Sequence, residues 1–467
     1  MSTIRINKRF FTVFVTWATL SLLVLTSPAG AQSAEFAQLE TFVQAEMKTT
    51  NVPGLAIAIV KGNRVVFARG FGVASVETKA PVTTDTLFQI GSVTKSFTAA
   101  AVLSLVEQSV LKLDQPVGVY INGLHPKIAR LTLHQLLSHT SGLQDEPAEF
   151  GSQDEAALGA YQRAWKEDYC LLEPGLSFSY SNSGYSLAGL AIQERSGKPY
   201  AEVMDALLFK PLGMNHATFR PTVAMTYPLA IGHRVENGTP VVVRPLPNDT
   251  RLWPAGTCYV SANEMARFAV AFLNEGRLAG KQMLSAETIR KMATPVVDIP
   301  SLPDATRYGY GLMQMTRRGL QELGHEGGMT GYTAIWRAYP QERLAVIVLS
   351  NKDSQQLTSY VDKVLDLMTP AALASQDKPQ PALPMDEVEM KKYVGVYRAP
   401  NRFTAEVILK DGQLRLKQFN QEAALTKIGL GRFAVATPAP REIAFRLDAK
   451  GAPLFMQQFY WAFKKVK

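Results

Sequence analysis

Cysteine is scarce in this chain. Cys170 and Cys258 are the only two in 467 residues. Two do not make a disulfide scaffold, and sequence does not tell whether they meet. Histidine is scarce as well, at positions 125, 134, 139, 216, 233 and 325. His134 and His139 are five apart and off one helical face, and no other pair has ligand spacing, so no metal site is expected. No dense Lys/Arg block occurs and the formal net charge is only +9, which excludes nucleic acid as the expected partner. No low-complexity tract and no fixed-period repeat is visible. After the N-terminus no stretch is long and apolar enough to span a bilayer. No motif calls for a cofactor.

What is present is a chain of ordinary globular composition, 46% hydrophobic and 19% charged, long enough for two or more units. Its first residues carry Arg5, Lys8 and Arg9, then an uncharged apolar run at 11–25, then Ala29-Gly30-Ala31. That order reads as a cleaved signal peptide over 1–31, leaving a mature charge of about +6 and an exported, periplasmic or extracellular protein with no stable membrane span.

Apolar residues at helical spacing predict a helix at 36–48. Two β-rich runs, 54–60 and 64–72, flank a Gly-Asn turn and predict a hairpin. Helical patterns follow at 95–111, 131–139, 182–197, 262–276 and 285–294. Strand patterns return at 333–340 and 343–351, before a last helix at 354–368. One sheet must therefore be assembled from distant parts of the chain around a helical insertion. The expected fold is α/β (α+β): an antiparallel sheet flanked by helices, with an inserted all-helical subdomain. A cleft between the two suits a small ligand. Residues 369–385 read as a Pro- and Ala-rich linker. From 386 to 467 the pattern turns to strands, with a hairpin about Asp411-Gly412, and predicts a small antiparallel β-barrel-like domain.

Three short motifs carry chemistry. Ser92-Val-Thr-Lys95 places a hydroxyl and an amine three apart, on one face if Ser92 opens the helix. Burial lowers a lysine's pKa and lets it take the serine proton. Ser375-Gln-Asp-Lys378 has the same letters without a helix to present it. Tyr180-Ser-Asn182 precedes a helix; a phenol can shuttle a proton and an amide can orient a carbonyl. "GHEGGMTGY" (324–332) begins like a zinc motif but has Met329 where the second histidine belongs. Its glycines allow a backbone to run close to a ligand and offer N–H groups to an oxyanion. The serine elbow of α/β-hydrolases is missed, because Gly184-Tyr-Ser186-Leu-Ala188 lacks the final glycine.

The order Ser-x-x-Lys, Tyr-x-Asn, His-x-Gly resembles the serine β-lactamase and penicillin-binding superfamily. Within it the chain is similar to the class C β-lactamase-like serine hydrolases, which include D-amino-acid peptidases and esterases. "LTLHQLLSHTSGL" (131–143), "PYAEVMDALLFKPLGM" (199–214), "PAGTCYVSANEMARF" (254–268) and "YGYGL" (308–312) agree. The resemblance covers nearly all of 36–368, and "YVGVYRAP" (393–400) begins a tail like the small β domains appended to some relatives. It implies Ser92 as nucleophile, Lys95 as base or proton relay, and Tyr180 as the group that handles the leaving group's proton and later activates water, with either Lys95 or Tyr180 as the base. It implies Asn182 and Gly327 as substrate-binding residues, and the backbone N–H of Gly328 as second oxyanion donor. His325 stands where many relatives carry lysine, and Glu326 where they carry a hydroxyl. An inward Glu326 would repel a penicillin carboxylate. The expectation is an exported serine hydrolase acting on a small amide or ester: a D-amino-acid peptide, a cell-wall fragment or an ester. β-Lactam hydrolysis and non-catalytic penicillin recognition are the alternatives. A catalytic role for neutral His325 predicts a rate that falls below the histidine's pKa. Oligomeric state is not given by the sequence.

Overall fold

The computed structural model describes residues 34–145, 149–302, 306–369, 381–437 and 441–466. The expected signal segment and most of the expected linker lie outside the described residues. Five helices frame the sheet and the site: α1 (Ala34–Thr50), α2 (Thr94–Glu107), α3 (Asn182–Ser196), α4 (Ala262–Leu273) and α5 (Thr358–Met368).

The Gly62-Asn63 turn closes the first hairpin, with Gly62 at φ 66°. It joins β1 (Gly54–Lys61) to β2 (Arg64–Gly72). The remaining strands of this sheet come from far along the chain. They are β3 (Val297–Asp298), β4 (Arg307–Tyr308), β5 (Met313–Arg317), β6 (Leu320–Met329), β7 (Tyr332–Tyr339) and β8 (Leu344–Ser350). The eight run in the order β2-β1-β8-β7-β6-β5-β4-β3, with antiparallel pairing at each neighbour.

β1 and β8 are apolar up to their last residues, Lys61 and Ser350, because both faces of the sheet are covered. Leu55, Ile57 and Ile59 of β1, with Val346 and Val348 of β8, pack against α1 and α5. Ala56, Ala58 and Ile347 face the other core, which holds Phe97 of α2 and Phe268 of α4. Each branched side chain buried this way contributes roughly 1.5–3 kcal/mol. The helical insertion lies between β2 and β3, and two of its longer helices are capped by serine side chains. Ser261 caps α4 in a capping box with Glu264, and Ser181 caps α3. The helix expected over 131–139 is confined to Leu133–Leu137. It starts at a Thr132/Gln135 capping box and stops before His139, whose φ of 58° is incompatible with helix.

A second unit follows: β9 (Gly395–Arg398), β10 (Thr404–Lys410), β11 (Gln413–Gln418), β12 (Gln421–Gly429), β13 (Arg432–Val435), β14 (Arg441–Leu447), β15 (Pro453–Gln458) and β16 (Trp461–Lys465). These close into an eight-stranded barrel. Asp411 and Gly412 both take positive φ, the requirement of a tight two-residue hairpin turn. Tyr397, Val407, Leu416, Phe433, Phe445 and Met456 fill the interior. The barrel is seated on the first unit: Leu172 packs with Phe455 and Ala462. Ser301 Oγ donates to the Phe459 carbonyl at 2.7 Å, and the Ala462 N–H donates to Ser179 Oγ at 3.2 Å. Cys170 and Cys258 are both buried free thiols and do not pair. Among the described residues no helix is long and apolar enough to cross a membrane.

Candidate active site

Ser92 lies in a 3-10 turn, Gly91–Val93, that runs directly into α2. The turn is pressed against β6. A Cβ on Gly91 would sit 2.5 Å from the Gly328 nitrogen, and one on Gly327 would sit 1.9 Å from the Ile90 carbonyl and 2.9 Å from the Ser92 nitrogen. Only glycine fits at either place. β5 begins at Met313, opposite Gly324, so the half of β6 from His325 onward is laddered by β7 alone. The glycine-rich stretch is thus strand, with one side left open beside the serine.

Lys95 follows Ser92 by three residues and is fully buried. Its Nζ lies 2.7 Å from Asn182 Oδ1, 2.7 Å from the Ala255 carbonyl and 3.0 Å from Ser92 Oγ. The first two partners accept only, so they fix two N–H bonds and leave the third position of the amine facing the hydroxyl. Burial pulls the Lys95 pKa down to about 7, with the Asp145 carboxylate acting in the opposite direction. The amine also lies over the rings of Tyr180 and Tyr185, at 4.7 and 5.5 Å.

Tyr180 immediately precedes the cap of α3, and its side chain lies beside Ser92, which acts against burial to lower its pKa. Burial raises its pKa well above the ordinary phenol value, so it carries its proton at neutral pH. Asn182 is held on both sides: its amide oxygen by Lys95, its backbone N–H by Asp145 Oδ1 at 2.9 Å and its Nδ2 by Asp145 Oδ2 at 3.4 Å. Burial raises the Asp145 pKa, with the two Asn182 donors and Lys95 opposing it. The Trp461 indole also lowers that pKa, although its N–H falls outside strict hydrogen-bond geometry.

His325 sits beside this cluster and not in it. Its Nδ1 donates to the Glu326 carbonyl, so Nε2 is the acceptor and takes the Tyr308 hydroxyl proton, at 3.0 Å. Its ring centroid is 6.3 Å from that of Tyr180. Burial, then the charge of Lys95, brings its pKa down to about 3. It is therefore a neutral imidazole at the position the resemblance aligns with a lysine. Glu326 leaves the opposite face of β6, since it stands across from Ile335 while His325 stands across from Trp336. Buried Arg337 takes the Glu326 carboxylate, and its Nε also pairs with Glu322 at 2.7 Å. The charge of Glu326 is thus matched by Arg337.

The structure therefore brings together Ser92, Lys95, Tyr180 and Asn182, with Gly327 and Gly328 against them and His325 alongside. It adds residues that sequence reasoning missed. Asp145 braces Asn182. His139 packs on Tyr180 and Tyr308, at centroid distances of 4.2 and 4.7 Å. Tyr460 and Trp461 come from the barrel: the Tyr180 N–H donates to the Tyr460 carbonyl at 2.7 Å, and the Asp145 N–H to the Pro400 carbonyl at 3.3 Å. His139 and Tyr308 fall in two stretches that carry the family resemblance, "LSHTSGL" and "YGYGL"; nothing in the sequence pointed to the barrel residues.

These groups open on a cavity of about 520 Å³ lined by Ser92, Tyr180, Tyr308, His325, Gly327 and Gly328, with Tyr460 and Trp461 as its barrel wall. Glu149, Asp353 and Glu326, the last engaged by Arg337, are on its lining, and among the described residues no lysine or arginine is. Among the described residues no group of three or more His, Cys, Asp or Glu is arranged to hold a metal.

A family model described as Beta-lactamase matches residues 39–366. The chain is 30% identical over 319 residues to Penicillin-binding protein 4 of Amycolatopsis lactamdurans, covering 64% of this chain and 81% of that protein. It is 27% identical to Protein flp of Staphylococcus aureus (strain MW2) over 70% of this chain, and spans 65% of that relative's length. A solved structure, SurE with D-Leu, is similar with a TM-score of 0.74 at 25% identity, covering 93% of this chain and 100% of that one.

Proposed function

Because the chain belongs to the beta-lactamase family, a family of serine hydrolases, we propose that it is an exported acyl-enzyme hydrolase using Ser92, Lys95 and Tyr180 on a small amide or ester. A peptide carrying a D-amino acid is the substrate class we favour. The observation that carries this reading is the setting of Lys95, a buried amine with a pKa near 7 and its free valence on Ser92 Oγ.

Neutral Lys95 takes the Ser92 proton as Oγ attacks the substrate carbonyl carbon. The N–H groups of Ser92 and Gly328 receive the oxyanion; loss of one such donor costs about 100- to 1,000-fold in rate. As the C–N or C–O bond breaks, the leaving group takes the phenol proton of Tyr180, and the proton held by Lys95 neutralises the phenolate. Water then attacks the acyl-enzyme carbonyl and gives a proton to Lys95; as the acyl C–Oγ bond breaks, Ser92 Oγ takes that proton from Lys95, and the free acid and the starting enzyme result. The opposed pKa directions of Lys95 and Tyr180 support this division into base and acid.

A substrate containing a D-residue is supported by the likeness to SurE, whose similar crystal structure is of that protein with D-Leu. Reaction with β-lactams is a second reading, favoured by the likeness to a penicillin-binding protein. Neutral His325 and a lining whose described residues include no lysine or arginine argue against efficient turnover of a substrate with an obligatory carboxylate. Covalent labelling by a fluorophosphonate, read by mass spectrometry, tests the main reading: Ser92 is expected to carry the label, and Ser92→Ala to abolish it. Equal labelling of both proteins would overturn the assignment. Nitrocefin turnover separates the second reading.

A further inference from the structure

Exposed aromatic rings are uncommon on a protein surface unless something covers them. Phe419 is 67% exposed and Phe403 is 44% exposed, and both lie in hairpin turns of the barrel. They are not isolated. Their centroids are 5.2 Å apart, Phe403 is 6.4 Å from Trp461, and Trp461 is 6.4 Å from Tyr460. Tyr460 is in turn 6.0 Å from Tyr180. Each separation lies within or near the range of direct ring contact. An unbroken series of rings thus leads from the phenol beside Ser92, along the cavity wall, to the open surface. Phe419 takes φ 50° and its neighbour Asn420 φ 60°, so the turn holds the ring outward in a backbone conformation that bulky residues avoid.

We propose that this aromatic series is a substrate subsite that takes an apolar or aromatic leaving group. The inference rests on the acyl-enzyme reading above. It assigns the leaving-group side because the series starts at Tyr180, the group that protonates the departing atom. The occupant is a substrate because the series is continuous with the catalytic cavity, whose wall Tyr460 and Trp461 already form.

The test compares wild type with the double variant Phe403→Ala, Phe419→Ala on two esters of N-acetyl-D-alanine, one of methanol and one of 3-phenylpropan-1-ol. The expected result is a loss of about tenfold in kcat/KM for the phenylpropyl ester, with the methyl ester unchanged. The acylation step should slow and the deacylation step should not, since both esters give the same acyl-enzyme. A second arm does not depend on turnover. Binding of N-(3-phenylpropyl)acetamide to the Ser92→Ala protein, read by calorimetry, should weaken by a similar factor when the two phenylalanines are removed. That arm keeps the subsite testable if neither ester is cleaved, which would count against the hydrolase reading alone. Equal losses on both esters, or unchanged amide binding in the double variant, would overturn the subsite. So would unchanged kinetics with a fall in the mass measured in solution, which would assign the rings to contact between copies of the chain.

Discussion

At the scale of single residues, the site is a contest between desolvation and hydrogen bonding. Lys95 loses its preference for charge because it is buried, and keeps its place because two carbonyl oxygens hold it. In the proposed mechanism Lys95 is the base, and it is competent only when neutral. With a pKa near 7, kcat/KM should therefore rise with pH through about 7 and flatten above it. A rate profile between pH 5.5 and 8.5 reads this directly. Asp145 opposes the fall in the Lys95 pKa, so Asp145→Asn should move the midpoint below that of wild type. His325 contributes no step in that range, because its pKa has been brought to about 3. The fall expected near an ordinary histidine's pKa moves far into acid. Tyr308→Phe removes the hydrogen given to His325 Nε2. It should cost about 1–3 kcal/mol in denaturant unfolding, the penalty of an unpaired buried acceptor.

At the scale of elements, the contact between the Ser92 turn and β6 decides what the glycines tolerate. Gly327→Ala drives a methyl into the Ile90 carbonyl. It should cost at least about 1–3 kcal/mol of stability and displace the oxyanion donors, lowering kcat by about 100-fold or more. Gly328→Ala meets nothing within 4 Å. It should leave stability within about 0.5 kcal/mol of wild type, so any loss it shows in kinetics comes from the cavity. Thermal unfolding beside steady-state rates distinguishes the two. Much of this level was legible in the sequence. The two-sided apolar runs of β1 and β8, the Ser181 and Ser261 caps and the Asp411-Gly412 turn are local signals. Ser92, Lys95, Tyr180 and Asn182 carried short motifs, and the structure puts Ser92 and Asn182 within hydrogen-bond distance of Lys95, with the Tyr180 ring beside the amine. The direction of Glu326 was not legible, because a strand's alternation assigns faces only once its register with β7 is known. Asp145 was not legible either: a lone Asp after Gln144 has no pattern, and its meaning comes from a tertiary contact with Asn182.

At the scale of the whole molecule, two units share one cavity. A barrel was foreseeable from alternating strands and turn residues; its seat on the catalytic cleft was not, since the contacts are single hydrogen bonds and small apolar patches between distant segments. Leu172 is buried against Phe455 and Ala462 at that seat. Leu172→Asp should loosen it, and kcat/KM should fall by about tenfold or more as Tyr180 loses its Tyr460 anchor, while the far-ultraviolet circular dichroism of both units stays. The same layout has a consequence for biosynthesis. β1 lies between β2 and β8, so one flank of this early strand stays unpaired until Ser350 has left the ribosome. The cavity gains its last wall only when Tyr460 and Trp461 follow. A nascent chain therefore has no complete cavity until the residues through Trp461 have emerged and folded against the first unit.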